Sequence, residues 1–191
     1  MPGPGRREDV IDPRVLTRLL DEMLPEERTI SIDSGHFMIF PASIMRAPDP
    51  QGFLLAQGFM SMGLALAESL GALAARPDRV SVAALGDGGA KMSLFELDTA
   101  IRHELPVLVV IYNDAAYGAE VHDFAASGRR LDIVRFTDLD FAAIARGLGA
   151  DGVTVRRPED LSAVRQWLGH RQRPLVVDAK VDPEIRGDWI E

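Results

Sequence analysis

Apolar positions along the chain alternate between two spacings. Val15, Leu16, Leu19, Leu20 and Met23 recur at helical intervals. They predict a helix over 13–23, opened by Asp12 and Pro13 as N-cap and first residue and stopped by Pro25. TISID at 29–33 reads as a short strand, closed by a Ser34-Gly35 turn. Residues 41–52 carry Pro41, Pro48 and Pro50 and are expected to be irregular. A small-residue helix is predicted over 60–75, ended by Arg76-Pro77-Asp78. VSVAAL at 80–85 is nearly continuous in apolar residues, as expected of a strand covered on both faces. Residues 86–89 then read as a turn, 93–103 as a helix, and VLVVIY at 107–112 as the most apolar strand. A loop is expected from 113 to about 137, with Asp138 capping a helix over 141–148. A strand at 152–156, a helix over 158–168 and a last strand, PLVVDA, at 174–179 complete the pattern.

Strands and helices alternate throughout, which predicts an α/β fold: a doubly wound, mostly parallel sheet with helices on both faces. Ligands of such folds lie at the carboxyl ends of the strands. The loops after Asp33, Leu85 and Tyr112 are therefore the candidate positions for chemistry.

A chain of 191 residues suits one domain, placed at 12–191 after a flexible lead-in over 1–11 rich in proline, glycine and charge. Apolar residues make up 47% and charged residues 26%, which excludes wholesale disorder. The absence of cysteine excludes disulfides, thiolate-bound zinc, iron–sulfur clusters and thiol catalysis. A net charge of −8, with no basic stripe, argues against nucleic-acid binding. The opening MPGPGRRED lacks the apolar run of a signal peptide, and Glu68 and two serines interrupt the long apolar stretch at 58–75. No membrane association is expected, and the expected location is cytoplasmic.

Two candidate loops are rich in oxygen and glycine. GDGG at 86–89 follows one buried strand, and Asn113-Asp114 follows the next. The 24 residues between Gly88 and Asn113 suffice for one helix and one strand, so parallel pairing brings Asp87 and Asp114 to the same sheet edge. Hard carboxylate donors suit Mg²⁺ or Ca²⁺ rather than zinc. Glycines there let backbone N–H groups approach a phosphate. Neither a GxGxxG fingerprint nor a P-loop lysine motif is present.

GDG, about two dozen residues, and then NN or ND is the signature of thiamine diphosphate-dependent enzymes. The chain resembles their C-terminal, diphosphate-binding domain, most closely that of the acetolactate synthase and 2-oxoacid decarboxylase group. The resemblance runs from about residue 12 to 179. It is carried by GFMSMGLALAESLGA at 58–72, GDGGAKMSLFELDTAIRHELPVLVVIYND at 86–114 and AAYGAEVHDF at 115–124.

The resemblance implies Mg²⁺ ligation by Asp87, Asp114 and the carbonyl of Ala116, with Asp114 replacing the family's usual Asn. It implies diphosphate contacts from the backbone of Gly88, Gly89 and Gly118, with Gly89 replacing the commoner Ser. His36 falls where relatives place polar side chains on the diphosphate. Met62 matches the apolar prop that bends the cofactor, and the carbonyl of Met60 its hydrogen-bond acceptor. Glu120, six residues after Asp114, stands where pyruvate decarboxylases carry a catalytic glutamate and acetolactate synthases have no acid. Each assignment has a plainer alternative: core filling for Met62, a solvated or salt-bridged residue for Glu120, packing for Tyr117, a surface position for Lys91. His122 is read equally as facing the site or as a polar loop residue.

Nothing in the sequence matches the family's pyrimidine-binding domain, which supplies the activating glutamate. The expected role is thus a thiamine diphosphate- and Mg²⁺-binding subunit acting on a 2-oxo acid, inactive alone and completed by a pyrimidine-binding chain or domain in a hetero- or homo-oligomer. The alternatives are a catalytically incompetent interaction or scaffold domain, a fragment of a larger enzyme, or a nucleotide-binding domain.

Overall fold

The computed structural model describes residues 9–56, 58 and 61–186. Helix α1 (Pro13–Met23) begins as its sequence dictates: the Asp12 carboxylate accepts the Arg14 N–H at 2.8 Å, and Pro13 stands where no N–H is needed. Strand β1 (Arg28–Ile32) follows, then helix α2 (Ile39–Ile44) and the short strand β2 (Phe53–Leu55). Next come helix α3 (Ala65–Ala75), strand β3 (Val80–Gly86), helices α4 (Asp87–Ser93) and α5 (Leu97–Arg102), and strand β4 (Leu108–Asn113). Helices α6 (Gly118–Ala126) and α7 (Phe141–Leu148), strand β5 (Asp151–Val155), helix α8 (Ser162–Gly169) and strand β6 (Leu175–Lys180) complete the described chain.

The strands form one sheet of six in the order β2-β1-β3-β4-β6-β5, every pairing parallel. The central strands β1, β4 and β6 are buried along their whole length, whereas the edge strand β5 is mostly part-exposed. Alternate residues feed two cores. Val80, Val82 and Ala84 of β3 pack with Leu16, Leu20, Phe37 and Trp167 on one face. Ala83 and Leu85 pack with Leu66, Leu70, Leu97 and Phe141 on the other. The chain leaves β1 toward β2 on one side, and β3 leads to β4 on the other. That reversal between β1 and β3 opens a crevice at the carboxyl ends of the strands.

Several elements differ from expectation. Residues 86–89 are not a free turn: Gly86 ends β3, and Asp87 already starts α4. The expected single helix over 93–103 is divided by a 3-10 turn at Leu94–Glu96. Helix α2 tolerates Pro41 because a proline in the first turn lacks an N–H that would have no partner there. The expected loop from 113 to 137 contains α6. Helix α3 begins at Ala65, so the described residues 61–64 form a turn. Ile11, at the end of the expected lead-in, is buried and bridges to Val181 beyond β6. Among the described residues, no helix is long and apolar enough to cross a membrane.

Candidate functional site

Three carboxylates stand at the ends of three adjacent strands. Asp33 follows β1, Asp87 follows β3 and Asp114 follows β4. Asp87 is 2% exposed, and the side chain of Asp114 is 5% exposed. Burial first, and then the charge of Asp114, pushes the Asp87 carboxyl far above the usual carboxylate range, with Lys91 opposing the shift. Burial raises Asp114 likewise, against hydrogen bonds from the Ala116 backbone and Asp87 that favour its charged form. Two carboxylates are thus held together away from water, a pair that a divalent cation would discharge.

The donor chemistry fits such an ion. Among the described residues, no group of three or more His, Asp or Glu side chains is arranged to hold a metal. The pair therefore leaves coordination positions for backbone and ligand oxygens, the manner in which Mg²⁺ is usually bound beside phosphates. The loop after Asp114 is shaped for this. The Asp114 carboxylate accepts the Ala116 N–H at 3.2 Å, and Ala115 takes a positive φ of 58°, a conformation uncommon for a residue with a Cβ. Ala116 is buried and bridges to Arg135.

The glycines sit where a side chain would collide. A Cβ on Gly118 would lie 2.2 Å from His36 Cε1 and 2.6 Å from Asp114 Oδ2. A Cβ on Gly88 would lie 2.6 Å from the Tyr117 ring, and one on Gly89 would lie 2.1 Å from Asp33 Oδ2. Backbone therefore faces the crevice at the starts of both α4 and α6. Tyr117 stacks edge-on against Phe136 at 4.5 Å, and the Lys91 ammonium sits 3.4 Å over the Phe136 ring. Tyr117 lines the cleft as well as packing on Phe136, and the Lys91 ammonium lies over the face of the same Phe136 ring.

His36 is buried with its Nε2 3.9 Å from Asp114 Oδ2. Burial and the neighbouring His122, whose ring lies edge-on at 5.3 Å, hold its pKa down to about 4. A neutral imidazole at this position can donate or accept one hydrogen bond without adding charge. His122 is buried on α6, not in a polar loop, and lines an adjoining cavity with Asp114, Ala116 and Gly118.

A cleft of about 650 Å³ joins these parts, lined by His36, Met62, Asp87, the glycines at 88, 89 and 118, Asp114, Ala116 and Glu120. The cleft gathers the residues to which the resemblance gives metal, diphosphate or catalytic roles, except Met60, which lies outside the described residues, whereas Lys91 and His122 do not line it. Glu120 is exposed at the cleft rim, on the first turn of α6. Met62 is half-buried in the turn before α3.

Sequence reasoning missed Asp33 as a working part. It is fully buried and accepts the Gly63 N–H with both oxygens, at 3.0 and 2.8 Å. It therefore ties the Met62 turn to the end of β1. Its signal was present, an acid directly after a buried strand, but an acid in that place resembles an ordinary turn residue. The network of Asn113, Asp178 and Lys180 was missed as well, because its members are distant in sequence.

The family described as thiamine pyrophosphate enzyme, C-terminal TPP binding domain, matches residues 33–179. The chain is 35% identical over 154 residues to a sulfoacetaldehyde acetyltransferase of Castellaniella defragrans, covering 79% of this chain and 25% of that protein. It is 27% identical over 176 residues to an acetolactate synthase of Bacillus subtilis, covering 92% and 31% respectively. Its fold matches the thiamine diphosphate-dependent 4-hydroxybenzoylformate decarboxylase of Rhodococcus jostii RHA1 with a TM-score of 0.82 at 23% identity, over 95% of this chain and 36% of that one. The chain thus spans under a third of the length of either of these two curated relatives.

Proposed function

The chain belongs to the thiamine pyrophosphate enzyme family through its C-terminal TPP-binding domain, and from that premise we propose that it is the thiamine diphosphate- and Mg²⁺-binding part of an acetolactate synthase-like carboligase or 2-oxoacid decarboxylase. In this reading residues 12–191 act as one domain, and a pyrimidine-binding chain or domain completes the site. The observation that carries the proposal is the buried Asp87–Asp114 pair at the mouth of a glycine-lined cleft.

Asp87, Asp114 and the Ala116 carbonyl hold Mg²⁺, while the backbone of Gly88, Gly89 and Gly118 and the neutral His36 receive the diphosphate. Met62, steadied by Asp33 through Gly63, supports the cofactor's bend. When bound, thiamine diphosphate supplies the carbon nucleophile that adds to a 2-oxo acid and accepts the electrons left as CO₂ departs. Glu120, at the rim, is placed to hand a proton to or from bound substrate once a partner covers it.

Apolar surface beside the cleft supports association. Leu64, Met92 and Phe95 are exposed, Phe95 to 76%, and Met92 packs against Gly63 at the cleft's edge. Exposed apolar residues grouped like this mark interfaces. On the family context we take the protein to be cytoplasmic and oligomeric.

The test is calorimetric titration of thiamine diphosphate into the assembled protein with and without Mg²⁺. Binding should require Mg²⁺ and vanish in Asp87→Ala. Metal-dependent binding that survives this change would refute the assignment.

A further inference from the structure

A buried polar network lies near the cleft, and none of its members lines it. Asn113 ends β4 beside Lys180 of β6. Its Nδ2 donates to Asp178 Oδ1 at 2.9 Å, and its Oδ1 accepts the Ala115 N–H at 3.2 Å. Asp178 is fully buried. Its Oδ2 accepts the Phe141 N–H at 3.0 Å, at the start of α7, and pairs with Lys180 Nζ at 2.9 Å. Lys180 also donates to the Leu139 carbonyl at 2.7 Å and reaches Asp138.

Burying an ion pair this completely is a poor route to stability, and a specificity role is the better-attested reason for keeping one. Here the specificity has a visible object. An Asn side chain can turn either way, because its oxygen and nitrogen are nearly isosteric. A carboxylate only accepts, so Asp178, the nearest partner at 2.9 Å, turns Nδ2 toward itself, while the Leu139 carbonyl at 3.3 Å and Asp138 Oδ1 at 3.4 Å accept from the same nitrogen over longer distances. Oδ1 must then face Ala115, whose φ of 58° is the strained point of the loop. That strained residue separates Asp114 from Ala116.

We infer that Asp178, fixed by Lys180, is a remote positioning residue that sets the Asn113 amide and thereby pre-forms the left-handed turn presenting Asp114 and Ala116 to the metal. The inference rests on the reading of those two residues as metal donors. Removing the constraint should loosen the turn before any ligand arrives.

The test uses Asp178→Asn in the assembled protein, with two readouts. Hydrogen exchange of peptides covering 113–118 is measured without metal or cofactor, and Mg²⁺ affinity is measured by titration in saturating thiamine diphosphate. The variant should exchange faster at 113–118 and bind Mg²⁺ about 10-fold more weakly, the usual scale for groups that orient metal ligands. A merely structural role would lower the melting temperature and leave Mg²⁺ affinity and exchange at 113–118 unchanged well below melting, and that result overturns the inference. If Asp178→Asn does not fold, Asn113→Ala gives the same reading with the Asp178–Lys180 pair intact, and wild-type exchange there overturns it equally. If the wild-type chain binds no Mg²⁺, the proposed function fails, while the exchange data still decide whether Asp178 orders the turn.

Discussion

Gly118 has no room for a side chain: a methyl there would overlap the His36 ring and the Asp114 carboxylate together. Gly118→Ala should therefore push the start of α6 away from the cleft, costing about 1–3 kcal/mol by urea unfolding and weakening cofactor binding. The paired carboxylates give a second prediction at this scale. Asp87 is raised from 3.8 to about 7 in the fold, so between these values the folded protein holds more protons than the unfolded chain. Without metal, stability from this group should fall as pH rises from about 4 toward 7. Mg²⁺ needs the carboxylates ionised, so its apparent affinity should rise over the same range, with proton release. Thermal melts at pH 6 and 8, with and without Mg²⁺ and thiamine diphosphate, should show the larger stabilisation at pH 8. An equal or smaller shift at pH 8 would contradict the assignment of the pair.

The elements follow from local rules where those rules act alone. Helices α1 and α7 fall where apolar spacing places them, but the cap of α7 is Asp140 and not the expected Asp138: Asp140 accepts the Ala143 N–H at 2.8 Å, Asp138 pairs with Lys180 instead, and Gly149 closes α7 at a φ of 99°. Asp140→Ala should lower stability by about 1 kcal/mol, and Leu20→Ala, which opens a void between α1 and the sheet, by about 2–5 kcal/mol in chemical denaturation. Strands β3, β4 and β6 were equally legible, because both-face burial leaves continuous apolar runs. What was not legible depended on tertiary contacts. Helix α6 starts with Gly118 and has no side-chain cap, so sequence offers no start signal. β2 has only three residues and gains its identity from pairing with β1. The turn before α3 interrupts a good helical sequence because Asp33 captures the Gly63 N–H. In the site, the meeting of Asp87 and Asp114 at one sheet edge was legible because the segment between them, two short helices and a strand, returns the chain to the neighbouring parallel strand. Asp33 and Asp178 were not, because only the fold brings them to Gly63 and Asn113.

Under the proposed function, the whole molecule presents half of a site. The crevice between β1 and β3 holds the residues proposed to bind metal and diphosphate in a doubly wound sheet, and Leu64, Met92 and Phe95 are exposed. Phe95→Asp should weaken assembly with the partner, read as a shift to smaller species by analytical ultracentrifugation, while leaving the melting temperature of the chain nearly unchanged. The central claim, that this chain is the cofactor-holding part of a larger thiamine diphosphate enzyme, is tested most directly by native mass spectrometry of the protein gently purified from its source. The account predicts a complex in which a pyrimidine-binding chain or domain accompanies this one, with thiamine diphosphate and Mg²⁺ retained. A lone chain or plain homo-oligomer that takes up neither, even when both are supplied in excess, would contradict it.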